Sequence, residues 1–106
     1  VTGIPFKGHD SPTFMTEVAS VMTKVAGIRR MGAASLDLAY VAAGRYEGFW
    51  ERNLQPWDVA AGVLLVREAG GFATSMKKGE DPVFSGSLVA ANDGLHSTLC
   101  GLLAPA

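Results

Sequence analysis

Apolar residues along this chain recur at helical spacing in some stretches and at strand spacing in others, with glycine and proline at the changes. Phe14, Val18, Val21, Met22 and Val25 fall on one helical face, so the spacing predicts an amphipathic helix over 12–25. Ser11 is placed to cap it, Pro12 suits its first position and Gly27 its stop. A second helix is expected to start between Ala33 and Ser35 and to end at Gly44, with Leu36, Ala39, Tyr40 and Ala43 on its apolar face. A third begins at Pro56 and stops at Gly70-Gly71. Between Val59 and Val66 it holds only apolar residues and glycine, which predicts a helix buried all round. Ala60, Ala61 and Gly62 would let a neighbour come close. A last helix is predicted over 93–103.

Extended stretches lie between these helices. Residues 1–6 read as a strand ending at Pro5, and 28–31 as a short strand or extended link broken at Gly32. Over 45–51 the alternation puts Tyr46, Gly48 and Trp50 on one side and Glu47, Phe49 and Glu51 on the other. Two more strands, 72–75 and 88–91, flank a polar loop. Strands interleaved with helices define a layered α/β unit. No repeat or low-complexity linker divides it, and 106 residues allow one domain at most.

Composition alters that picture in two ways. With 48% hydrophobic and 18% charged residues, the chain is greasier than a small free-standing globule needs. Either it is an alanine-rich, tightly packed domain, or some apolar residues face a partner. It also opens without methionine, straight into Val1-Thr2-Gly3-Ile4-Pro5-Phe6, which reads as part of a larger enzyme. A net charge of −1, with Arg29-Arg30 and Lys77-Lys78 as isolated basic pairs, gives no footprint for direct nucleic-acid binding or an anionic membrane. Cys100 is alone, which excludes an internal disulfide and fits a reducing compartment; its apolar setting suggests a buried structural thiol. No signal peptide is recognisable, and the apolar run 59–66 is far short of a membrane span. A cytoplasmic protein is expected.

Chemistry is concentrated near Asp58. This carboxylate sits in the first turn of the third helix, where free amides and the helix dipole favour negative charge. It either tightens that helix start or ligates a cation; Mg²⁺ would need further oxygen ligands. Glu51, seven residues upstream at a strand end, either pairs with Arg52 or Arg45 or accepts hydrogen bonds from substrate hydroxyls. The small-residue turn Gly32-Ala33-Ala34-Ser35 opens the second helix and could approach an anion or a sugar hydroxyl closely. Asp37 reads as a capping or buried pairing group, and His9 and His96 as surface residues. A nucleophile elbow, a phosphate-cradling loop and a dinucleotide fingerprint are all missing.

Several segments together resemble the C-terminal half of the inositol monophosphatase family. They are Thr2-Gly3-Ile4-Pro5-Phe6, the run from Ile28 through Gly32-Ala33-Ala34-Ser35-Leu36-Asp37 to Arg45, Gly48-Phe49-Trp50-Glu51, Pro56-Trp57-Asp58-Val59-Ala60-Ala61-Gly62, and Arg67-Glu68-Ala69-Gly70-Gly71-Phe72. The resemblance implies the α/β layered fold of the sugar phosphatases, with residues 1–106 forming its C-terminal substrate-recognition domain. It implies Mg²⁺-dependent, lithium-sensitive hydrolysis of phosphate monoesters such as inositol 1-phosphate, in a homodimer. Asp58 matches the family's aspartate that ligates metal and contacts the substrate sugar. Glu51 matches a carboxylate that binds inositol hydroxyls, and Gly32, Ala33 and Ala34 match the loop lining that pocket. The family's other signature, which supplies most of the metal ligands, is not in this sequence. The chain is therefore expected to need the N-terminal half of the same enzyme as a partner and to be inactive alone. The alternative is a non-catalytic protein-interaction module of a transcription or RNA-maturation complex.

Overall fold

A computed structural model of the chain describes residues 1–3, 11–29, 32–52, 54–76 and 79–103, except for the side chains of Ser11 and Asp93. In chain order the elements are α1 (Ser11–Met22), α2 (Ala34–Ala42), β1 (Gly48–Glu51), α3 (Pro56–Glu68), β2 (Phe72–Thr74), β3 (Leu88–Ala91) and α4 (Asp93–Leu103). The three strands form one antiparallel sheet in the order β1-β3-β2. Ala90 of the central strand faces Phe49 on one side and Ala73 on the other. Thr2 extends the β1 edge through a parallel bridge to Trp50, and its hydroxyl donates to the Trp50 carbonyl at 2.7 Å.

All four residues of β3, Leu88-Val89-Ala90-Ala91, are buried, which means that both faces of the sheet are covered. The twofold alternation of β1 distributes its side chains between two cores. Phe49 joins Leu38 and Val41 of α2 and Val59, Val63 and Val66 of α3. Trp50 joins Val21 of α1, Val89 and Leu103 of α4, and stacks at 6.4 Å from the Phe14 ring. The fold is thus three layers, with α2 and α3 on one face of the sheet and α1 and α4 on the other. No helix among the described residues is long and apolar enough to cross a membrane.

Three expectations are corrected. The α2 stripe facing the core is Asp37, Leu38 and Val41, whereas Leu36, Tyr40 and Ala43 are exposed. Both stripes are apolar enough to bury, so spacing could not choose between them. Helix α3 is not buried all round: Val59, Gly62, Val63 and Val66 face inward, while Ala60, Ala61, Leu64 and Leu65 are exposed. Only one layer of this chain covers it. Helix α1 ends at Met22, three residues early, with the Lys24 amide bonded to the Val21 carbonyl in a tight turn. Residues 27–29 are extended but form no strand, Arg29 accepting the Thr2 amide at 3.0 Å. The expected strand residues 4–6 and 30–31 lie outside the described residues, as does His9.

Candidate functional site

Glu51 is the last residue of β1 and is half-buried. By strand alternation it shares the face of Phe49, the one covered by α2 and α3, whose first turns carry the other candidate residues. Its carboxylate lies against the backbone of Gly3: a Cβ built there would collide with both carboxylate oxygens. Only glycine leaves that seat open. Arg52 reaches α1 instead, where Nε and Nη2 donate to Glu17 Oε2 at 3.1 and 2.9 Å. Two residues on, the Leu54 amide donates to the Gly86 carbonyl at 2.9 Å, holding the connector against the loop before β3.

That connector delivers Asp58 to the first turn of α3, with Pro56 at the first helical position. The Gln55 amide donates to Asp58 Oδ2 at 3.1 Å, and the Asp58 amide returns a bond to the Gln55 carbonyl at 2.9 Å. Asp58 therefore tightens the helix start, as one of its two readings required. It is also half-exposed, so the carboxylate keeps access to a ligand. A hard oxygen donor in that setting fits one position on a divalent cation, and a single carboxylate leaves the rest of a six-oxygen shell to other groups. Among the described residues no group of three or more His, Cys, Asp or Glu side chains is arranged to hold a metal ion.

Gly32 adopts φ 85°, a left-handed turn that glycine takes without strain. Ala33 then caps α2 in an extended conformation, its carbonyl accepting the Asp37 amide at 2.9 Å, and no side chain caps this end. The start of α2 is accordingly lined by methyl groups and backbone, with Ala34 packed on the core. Just inside it Asp37 is 1% exposed, and neither carboxylate oxygen has a hydrogen-bond partner among the described residues. Burial raises its carboxyl above the ordinary range, opposed by the Val1 amino group. It is buried, but among the described residues it neither caps the helix nor makes the buried hydrogen-bonded pair that was expected.

His96 is a correction. It is half-buried, its Nε2 2.9 Å from the Thr74 hydroxyl and its ring edge-on to Phe72 at 5.5 Å. Burial lowers its pKa. Cys100 lies one helical turn on, 3.7 Å from Nε2, half-buried, with burial pushing its thiol up. Sequence reasoning missed Gly3, Glu17 and Arg52 as parts of the site's frame. Their signal is three-dimensional: Thr2 meets Trp50 across 48 residues and Glu17 meets Arg52 across 35.

The sequence profile described as the inositol monophosphatase family matches residues 1–105. The inositol-1-monophosphatase of Rhizobium meliloti (strain 1021) is 54% identical over 99 residues, covering 92% of this chain and 37% of that protein. The Nus factor SuhB of Salmonella typhimurium (strain LT2) is 49% identical over 92 residues, covering 86% of this chain and 34% of its own. Among solved structures, the extragenic suppressor protein suhB of Bartonella henselae superposes with a TM-score of 0.89 at 50% identity, over 96% of this chain and 39% of that one. The chain belongs to the inositol monophosphatase family, a family of phosphatases, and has its α/β fold. It spans a little over a third of the length of these relatives.

Proposed function

We propose that the complete protein is a Mg²⁺-dependent phosphate monoester hydrolase acting on inositol 1-phosphate, and that residues 1–106 are its substrate-recognition domain. The observation that carries this reading is Asp58, a half-exposed carboxylate in the first turn of α3, within the stretch matched by the family. Asp58 would occupy one position on the metal and accept a hydrogen bond from the substrate sugar. Glu51, seated on Gly3, would accept hydrogen bonds from ring hydroxyls. The backbone of Gly32, Ala33 and Ala34 would close the pocket, small side chains letting the substrate approach the start of α2. When bound, Mg²⁺ supplies phosphate polarisation and an activated water. The remaining ligands would come from an N-terminal half, without which this chain is inactive. Lithium sensitivity, a homodimeric state and a cytoplasmic location belong to the same proposal.

Asp58→Asn keeps the shape of the side chain and removes its charge. In the complete protein it should lower kcat by about a hundredfold or more, since a metal ligand acts on the reacting group itself. Near-normal turnover in steady-state phosphate release would overturn the assignment. A second reading, a non-catalytic protein-interaction module of a transcription or RNA-maturation complex, is favoured by relatives that carry the name Nus factor SuhB. With a net charge of −1 the contact would be to protein rather than directly to nucleic acid. A complete protein without phosphatase activity would favour that reading.

A further inference from the structure

We propose that Glu17 and Arg52 are positioning residues, a brace that sets where the Glu51 carboxylate sits and thereby the affinity for a polyol phosphate. The inference rests on the reading of Glu51 as a hydroxyl-binding residue. Glu17 is a charged side chain with 4% exposure on a helix that packs on α4 through apolar contacts and one hydrogen bond, from the Ser20 hydroxyl to the Leu102 carbonyl. Such residues are rarely buried unless paired, and here the pairing is to the residue that follows Glu51. Both donors of the Arg52 fork fall on one oxygen, Oε2, while Oε1 is buried without a hydrogen-bond partner among the described residues.

A buried ion pair of this kind contributes little net stability, because desolvation offsets most of the attraction. What it does supply is geometry. Sheet pairing of β1 ends at Glu51, opposite Leu88, and the next backbone anchor is the Leu54 amide on Gly86. Between those points the guanidinium fork ties the connector to α1. Strand alternation sends Glu51 to the α2/α3 face and Arg52 to the α1 face, so the tie holds the chain from the side opposite the pocket. On the pocket side the carboxylate is seated on Gly3, where the absent Cβ leaves room for it. A hydroxyl-binding acid loses much of its value when displaced by about an ångström.

The test is steady-state kinetics of the complete protein with Mg²⁺, comparing inositol 1-phosphate with para-nitrophenyl phosphate, which has no ring hydroxyls. Glu17→Gln and Arg52→Met should each raise KM for the polyol substrate about tenfold with little change in kcat, the signature of lost uniform binding. KM for the aryl phosphate should not move, and Arg52→Lys should restore part of the loss. Adding Glu17→Gln to Glu51→Gln should raise KM no further, because both act through one carboxylate. An unchanged polyol KM, or an equal rise for both substrates, overturns the brace. If the complete wild-type protein releases no phosphate from either substrate, the phosphatase reading fails and the brace with it. If Asp58→Asn is inactive while the brace variants keep the wild-type KM, the brace alone fails. Should Glu17→Gln not fold, Arg52→Met decides by the same comparison of substrates.

Discussion

A carboxylate shut off from water and left without a donor favours its neutral form. Among the described residues Asp37 has no such donor, and burial raises its carboxyl above the ordinary 3.8. The folded chain then binds this proton more tightly than the unfolded chain. Its contribution to stability is fully present below the unfolded value and is lost as pH rises from 3.8 through the folded value. Asp37→Asn keeps the shape and abolishes the titration. Urea unfolding at a series of pH values should show a flatter profile for the variant, which gains on the order of 1 kcal/mol over wild type at neutral pH. Parallel profiles for the two chains would mean that Asp37 has a donor and does not titrate in this window. Acids at element ends, Glu51 and Asp58, were legible in the sequence as site candidates. Gly3 was not, because its role depends on lying beside a strand end 48 positions away.

Helices α2 and α3 pack face to face, with a close approach at Gly62. A Cβ at Gly62 would collide with the side chain of Leu38, so the spacing of the two helices is set by a glycine. Gly62→Ala should destabilise the chain by about 1–3 kcal/mol through overpacking. Combining it with Leu38→Ala should cost less than the sum of the two, since the shortened side chain makes room for the methyl. Strict additivity in thermal unfolding would show that the helices do not meet there. Several element borders were legible in the sequence because their chemistry is local, though α1 ends before Val25 and β1 begins at Gly48 rather than Arg45. Pro56 opens α3, Gly70 follows its end with φ 88°, and the bounds of β3 and α4 agree residue by residue. The faces of α2 and α3 were not legible. Apolar residues occupy both sides of each helix, Val59, Val63 and Val66 facing inward in α3 while Leu64 and Leu65 face out, and which side meets the sheet is decided by packing.

The apolar excess in the composition has a place in the whole molecule. Leu36 and Tyr40 of α2 and Leu64 and Leu65 of α3 are exposed large hydrophobic residues on the helix pair. Of the run Val63-Leu64-Leu65-Val66, the two valines face this chain's own core and the two leucines are exposed. An apolar surface of this kind is what a partner or another part of a protein covers. Under the proposed function this chain is one part of a divided site: it would orient the polyol and contribute Asp58, with most of the metal shell supplied elsewhere. Phosphate release from inositol 1-phosphate, with Mg²⁺ and with chelator, by the 106-residue chain and by the complete protein side by side, tests that claim most directly. Chelator-sensitive activity in the complete protein and none in the isolated chain is the predicted result. Chelator-sensitive turnover by the isolated chain would contradict it, because the site would then be assembled from these residues alone.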